Sequence, residues 1–400
     1  MKQRIVSGIK PSGDLHIGNY LGAIAQWTKL QDEYEVMIFI ADLHAITVPQ
    51  EPEELRRRTV EIAKIYLAAG IDPKKVTIFV QSQIHEHAEL CWILNTVTRN
   101  GDLTKMTQFK DKALVDFDVI EEIRNKASLA RKKFNEFNEE YDKKQDLKAA
   151  LLDVLTFWKS DKPDPIRNLF DIFVASEEAL DKFQEMKEQF NSVGVGLFDY
   201  PVLMAGDIMM YDAQLVPVGD DQVQHIELAR TIGKRFNKRF GEDIFTLPQP
   251  LLQKSGARIM ALDNPQKKMS KSATSENSYI ALNDEPQKAR KKIMRAVTDS
   301  GTEIVYTDDK PALKNLINIY SLFSGKTTTE IEQLYVGKGY ADFKTGLADV
   351  VVAFLEDFQR KYAAISDEKV LQVLQEGAHK VRPLAQQKIQ TVKKLVGFVL

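Results

Sequence analysis

Two stretches of the chain carry residue types suited to phosphate chemistry. The first, residues 11–19, reads Pro-Ser-Gly-Asp-Leu-His-Ile-Gly-Asn and follows a short apolar run at 4–9. From Ile17 the apolar residues Leu21, Ile24 and Leu30 recur at helical spacing, which puts His16 and Gly18 where a helix begins. Unpaired N–H groups and the helix dipole favour an anion there, and a glycine without a Cβ lets a phosphate or a base come close. A plain strand–turn–helix link has the same pattern, so this stretch alone leaves both readings open. The second, residues 268–272, reads Lys-Met-Ser-Lys-Ser. Loop lysines are ordinarily just solvated. Here they alternate with small hydroxyl residues, a set that can stabilise charge building on phosphate oxygens.

Taken together and in this order, the two stretches resemble the paired signatures of class I aminoacyl-tRNA synthetases, His-Ile-Gly-His and Lys-Met-Ser-Lys-Ser. Asn19 stands where the first signature ends in histidine, and asparagine at that place is a feature of the tryptophanyl branch. Three further segments carry the resemblance: Met-Thr-Gln-Phe-Lys at 106–110, Tyr-Pro-Val-Leu-Met-Ala-Gly-Asp-Ile-Met-Met-Tyr at 200–211, and Gly-Asp-Asp-Gln-Val-Gln-His-Ile-Glu-Leu-Ala-Arg at 219–230. It covers roughly residues 1–110 and 192–400.

The resemblance implies a two-step reaction. The carboxylate of L-tryptophan attacks the α-phosphorus of ATP to give tryptophanyl-adenylate and pyrophosphate, and the terminal ribose of tRNA(Trp) then takes the aminoacyl group. Mg²⁺ is expected with the triphosphate as part of the substrate, with no resident metal. His16, Asn19, Lys110, Lys268 and Lys271 are the implied catalytic set. Lys10, Pro11, Ser12 and Gly18, the turn Gly219, Asp220, Asp221 and Gln222, and Ile259, Met269, Ser270 and Ser272 are expected around ATP, with Ile259 against adenine. Asp207 is implied as acceptor of the indole N–H, in a pocket with Tyr200, Met204, His44, Val216 and Val218. Its apolar neighbours make that carboxylate costly to bury unless something satisfies it. Lys10 departs from the glutamine more usual at this place. The alternatives are a tyrosyl-tRNA synthetase, a nucleotidylyltransferase of the same superfamily that never meets tRNA, and a catalytically inactive tRNA-binding paralogue. Family members are dimeric, so a homodimer is expected.

The elements that must position these residues read as α/β. The run 36–41 is short and wholly apolar, as a buried strand would be, and Asp42, Leu43 and His44 follow it. A helix with Leu55, Ile62 and Tyr66 on one face stops at Gly70. A strand at 76–80 and a helix at 88–98 come next. Strands alternating with helices predict a doubly wound parallel sheet of Rossmann-like type, with ligands beyond the carboxyl ends of its strands. His85, Glu86, His87 and Cys91 invite a metal reading, but residues two apart on a helix diverge and no second ligand cluster appears.

From 112 to 191 the composition shifts to dense charge of both signs with helical periodicity at Leu147, Leu151, Val154 and Trp158, and the resemblance lapses. A helical insertion is expected there. The catalytic domain then spans 1–275 around that insertion, and a helical anticodon-side domain spans 276–400, with basic clusters at 288–292 and 393–394 as candidate tRNA contacts.

Composition narrows the class without deciding it. Four hundred residues suffice for two or more domains, and 55 Lys and Arg against 57 Asp and Glu give a net charge of −2, so any tRNA surface must be local. The single cysteine excludes an intrachain disulfide and suits a reducing compartment. No apolar run approaches the roughly 20 residues of a membrane span, and none precedes the first strand as a signal segment. The expectation is a cytoplasmic protein.

Overall fold

Five short strands form one parallel sheet: β1 (Arg4–Ile9), β2 (Glu35–Ile40), β3 (Val76–Val80), β4 (Leu215–Val218) and β5 (Gln249–Leu252). They appear in a computed structural model that describes residues 2–11, 15–107, 194–252, 259–270 and 275–399. The sheet order is β3-β2-β1-β4-β5, and each neighbouring pair runs parallel. Ile5, Val36, Ile38, Ile40, Val76 and Ile78 are all buried in the main core. Near-continuous apolar strands are what a sheet covered on both faces requires. The expected strand at 36–41 begins and ends one residue earlier, at Glu35 and Ile40.

Chain order explains where a ligand belongs. From β1 the chain winds outward through β2 to β3, then returns to place β4 on the other side of β1. The carboxyl ends of β1 and β4 therefore flank the switch point where connections diverge, leaving a crevice. After β1 come α1 (Ile17–Asn19), a wider turn with π-type hydrogen bonding at Tyr20–Ile24, and α2 (Ala25–Leu30). After β2 come α3 (Asp42–Ala45) and α4 (Pro52–Ala68). Gly70 closes α4 with φ +97°. Its N–H donates to Leu67 O at 3.1 Å and that of Ile71 to Tyr66 O at 3.1 Å, the paired bonds of a left-handed C-terminal cap. After β3 comes α5 (Glu86–Asn95). It starts two residues earlier than expected, with Glu86 and Glu89 in a first turn that favours acids.

Residues 1–99 and 199–400 make one compact unit and residues 100–198 a second. The described part of the second holds α6 (Asn100–Leu103) and the first turn of α7 (Val195–Met209). The helical insertion expected at 112–191 lies outside the described residues. After β4, α8 (Val223–Phe240) leads to β5.

Beyond residue 279 the chain is helical, as expected: α9 (Pro286–Arg295), α10 (Pro311–Ser324), α11 (Thr328–Leu334), α12 (Tyr340–Ala364) and α13 (Asp367–Val396). The boundary expected after residue 275 falls inside the first unit. One cause is α13. Val370, Val373, Leu374, Gly377, Ala378, Val381 and Ala385 form a buried stripe at helical spacing, and a Cβ on Gly377 would overlap the carbonyl of Ile78 in β3. Only glycine lets the helix backbone lie that close to the strand. No helix among the described residues is long and apolar enough to cross a membrane.

Candidate active site

His16 is the last extended residue before α1 (φ −115°, ψ 167°) and is buried to 6% exposure. Its backbone N–H donates to Oδ1 of Asn19 at 3.1 Å, so Asn19 caps the turn that presents the histidine. Antiparallel bonds fix this segment from the other side. Ile17 N–H donates to Ile280 O at 2.9 Å, and Leu282 N–H to Leu15 O at 3.0 Å. His16 Nδ1 is buried without a hydrogen-bond partner among the described residues. Burial, with the charge of Lys268 adding to it, lowers the imidazole pKa to about 4. The ring is therefore neutral at physiological pH and offers a hydrogen bond rather than a charge.

The lysine motif sits on a short antiparallel pair. Met260 bridges Lys268, Ala261 N–H donates to Lys267 O at 2.8 Å and Met269 N–H to Ile259 O at 2.9 Å. Asn315 holds both backbone groups of Met260, accepting at 2.9 Å and donating at 3.0 Å. Ile259 and Met269 are buried and Lys268 is exposed. The two motifs adjoin: a Cβ on Gly18 would stand 2.9 Å from His16 Nδ1 and 3.5 Å from Cβ of Met269. Glycine is thus needed at 18, where a side chain would displace the histidine. Lys110, Lys271, Ser272 and Ser12 lie outside the described residues.

At the carboxyl end of β4, Gly219 leads into the single turn Asp220–Gln222, and Gly219, Asp220 and Asp221 are exposed toward solvent. Pro11 is buried and Lys10 half-buried after β1. The Lys10 ammonium lies 5.4 Å from the centre of the Tyr200 ring, within cation–π range.

Asp207 lies on α7 and is 0% exposed. Tyr200, Met204, Asp207 and Tyr211 recur at spacings of four, three and four, so one side of this segment carries them all. Oδ1 of Asp207 accepts from Gln81 Nε2 at 2.7 Å and from His87 Nδ1 at 2.6 Å. Oδ2 is paired with His44 Nε2 at 2.7 Å. Burial alone would raise the carboxyl pKa, but the hydrogen bonds from His44 and His87 outweigh it and hold it at about 2. The cost of burying this acid is thus met inside the protein. His44 lies edge-on to Tyr200 with ring centres 6.1 Å apart, and the Tyr200 hydroxyl is 2.9 Å from His225 Nε2. Val216 and Val218 share one buried face of β4, and Met204 is half-buried.

Sequence reasoning missed Gln81, His87 and the Tyr211 hydroxyl. His87 drew notice only as a possible metal ligand; among the described residues no group of three His, Cys, Asp or Glu is placed to hold a metal. Asp42 ties the start of α3 to the turn after β3: its Oδ1 accepts from Leu43 N and Ser82 N, each at 3.0 Å. The basic clusters expected to meet tRNA are largely spent on internal pairs. Lys292 is buried against Asp284 at 2.6 Å, Lys288 pairs with Glu276 at 2.9 Å and Lys393 with Glu89 at 2.7 Å.

A doubly wound parallel sheet, with a histidine–glycine helix entry meeting a lysine loop at its switch point, defines the nucleotide-activating core of a class I synthetase. The family model described as class I tRNA synthetases (W and Y) matches residues 1–138 and 169–356, and the chain belongs to this family. It is 41% identical, over 100% of its length and 99% of the relative's, to the tryptophan–tRNA ligase of Caldanaerobacter subterraneus subsp. tengcongensis. Among solved structures, the tryptophanyl-tRNA synthetase of Mycoplasma pneumoniae superposes with a TM-score of 0.75 at 29% identity, covering 100% of this chain and 99% of that one. The Campylobacter jejuni enzyme, complexed with ADP and tryptophan, gives 0.68 at 30% identity, covering 99% and 100%.

Proposed function

We propose that the crevice beyond β1 and β4 activates L-tryptophan with ATP and passes it to tRNA(Trp). The chain is an aminoacyl-tRNA synthetase, a tryptophan–tRNA ligase. One observation carries the assignment of chemistry to residues: the two motifs, far apart in the chain, adjoin through Gly18 and Met269.

The reaction asks for positioning and charge stabilisation rather than a protein nucleophile. A tryptophan carboxylate oxygen forms a bond to the α-phosphorus of ATP while the bond to the bridging oxygen breaks, and the electron pair leaves on pyrophosphate. Negative charge grows on the leaving oxygens. Lys268, with Lys271 and Lys110, supplies positive charge there, while His16 and Asn19 direct neutral hydrogen-bonding groups at the phosphates from the helix entry. Mg²⁺ enters as part of the ATP substrate and adds charge neutralisation. Lys10, Pro11 and Ser12 border the α-phosphate and the amino acid. Gly219, Asp220, Asp221 and Gln222 take the ribose, and Ile259, Met269, Ser270 and Ser272 close around the base and phosphates. In the second step the ribose hydroxyl of the tRNA terminus attacks the activated carbonyl and AMP leaves.

Asp207 accepts the indole N–H, with Tyr200, Met204, His44, Val216 and Val218 as walls. A site built around a buried acceptor rejects amino acids that bring no donor, because the acceptor would stay unpaired. The working form is a homodimer in the cytoplasm, as the family resemblance implies. The domain arrangement is that of a catalytic domain of residues 1–275 carrying an insertion at 112–191, followed by a tRNA-side segment at 276–400. ATP–pyrophosphate exchange measured with each amino acid separately tests the whole reading: exchange with tryptophan alone is the expected result, and exchange with tyrosine, or with none, overturns it.

A further inference from the structure

We propose that His87 and Tyr211 are positioning residues for amino-acid selection, a relay that fixes Asp207 in one rotamer as a pure acceptor. The inference rests on the reading of Asp207 as the acceptor of the indole N–H and adds what makes it one.

A carboxylate has two oxygens with two lone-pair directions each. At Asp207, Oδ1 is filled: Gln81 Nε2 approaches at 2.7 Å and His87 Nδ1 at 2.6 Å. Oδ2 carries one contact, His44 Nε2 at 2.7 Å. Among the described residues, the acceptor capacity left is therefore on Oδ2, the oxygen beside His44 and, through it, Tyr200. His87 makes this arrangement one-sided. It is 0% exposed, and its other nitrogen, Nε2, lies 2.8 Å from the Tyr211 hydroxyl. Because Nδ1 must carry a proton to bond the carboxylate, Nε2 of the neutral ring accepts, and Tyr211 O–H donates to it. Phe39 and Phe79 flank the imidazole at 5.9 and 6.2 Å between ring centres, holding its plane. The proton order from Tyr211 through His87 to Asp207 is thus set by groups that never reach the crevice. Without His87, Oδ1 loses a charge-assisted bond, the carboxyl can rotate, and its protonated form, which donates rather than accepts, becomes accessible.

The test compares tryptophan with its analogue bearing sulfur in place of the indole N–H, both in ATP–pyrophosphate exchange. His87→Leu should lower the tryptophan-to-analogue ratio of kcat/KM by about 10–100-fold, the effect typical of losing a group that orients a ligand from behind. The loss should sit in KM for tryptophan, with KM for ATP unchanged. His87→Asn, whose amide N–H overlays Nδ1, should recover most of the ratio. Tyr211→Phe, which deletes one hydroxyl at constant shape, should lower it in the same direction and serves if His87→Leu does not fold. Equal losses for both amino acids, or an unchanged ratio in Tyr211→Phe and His87→Leu, would overturn the relay. Asp207→Asn is run alongside. If it narrows the ratio while the His87 and Tyr211 variants do not, the acceptor reading stands and the relay falls; if it leaves the ratio intact, the acceptor reading falls and takes the relay with it.

Discussion

Asn19 accepts the backbone N–H of His16 at 3.1 Å, across the single turn that opens the first helix. The residue that departs from the family signature is thus the one that fixes the backbone of the residue that keeps it. Asn19→Ala should cost about 1 kcal/mol of stability, as the loss of a helix-entry hydrogen bond does, and should slow adenylate formation. Asn19→Asp keeps the acceptor but places a negative charge where the triphosphate is proposed to lie. It should retain the stability and lose the activation rate. Denaturant unfolding paired with pyrophosphate exchange separates the two effects; equal activity in Asn19→Asp would remove the phosphates from this site.

His16 makes stability depend on pH. Its folded pKa, about 4, lies below the ordinary 6.5 because the ring is buried beside Lys268. Between those values the unfolded chain binds a proton that the folded chain refuses, so this contribution is complete above about pH 6.5 and declines as pH falls toward 4. From pH 7 to pH 5 the decline is on the order of 1–2 kcal/mol. His16→Gln should show a correspondingly smaller loss of unfolding free energy over the same interval. Parallel pH profiles for the two proteins would mean that His16 stays as accessible to protons as in the unfolded chain.

Lys268 is exposed at the edge of the hairpin that carries Met269 into the core. Its proposed contact strengthens as charge moves onto pyrophosphate, so Lys268→Ala should slow single-turnover adenylate formation by about 10²–10³-fold, the range for losing one group that stabilises a developing oxyanion. Tryptophan binding at equilibrium should hardly change. A rate within threefold of the unmutated enzyme would assign Lys268 to solvent.

Gly377 tests the packing of the last helix on the sheet. A methyl group there would overlap the Ile78 carbonyl, so Gly377→Ala should destabilise by about 1–3 kcal/mol, as overpacking does. Chemical denaturation reads the loss directly. An unchanged midpoint would mean that α13 does not lie so close to β3.

Much of the site was readable from residue order. A strand, a glycine-bearing turn and an apolar helical stripe form a local pattern, and local patterns survive in sequence. That is why the spacing puts His16 and Gly18 at a helix entry and why Asp207, isolated among Leu203, Met204, Ile208 and Met209, calls for a partner. The partners themselves were not readable. Gln81 and His87 come from segments after β3, and nothing in their own neighbourhoods says which carboxylate they meet; His44, after β2, joins Asp207 in the expected pocket only through the family resemblance. Even with a metal reading set aside for His85, Glu86 and His87, the sequence gives His87 no partner, because the imidazole answers to neighbours in space rather than in the chain. The pairing of the lysines at 288, 292 and 393 is hidden from the sequence for the same reason. Lysines are read as solvated until their carboxylates, Glu276, Asp284 and Glu89, are located.

The sequence by itself determined the alternation of strands and helices, the two motif-bearing stretches at 11–19 and 268–272, and the carboxylate that had to be satisfied, since propensity, periodicity and desolvation cost act within a few residues. The tertiary structure decided which donors satisfy Asp207, that Gly18 lies against Met269, and that Gly377 must be glycine because a helix backbone lies on Ile78. Each of these depends on a distance of a few ångströms between residues remote in the chain. Such distances follow from how the sheet orders its strands and the helices pack upon it, which no local spacing encodes.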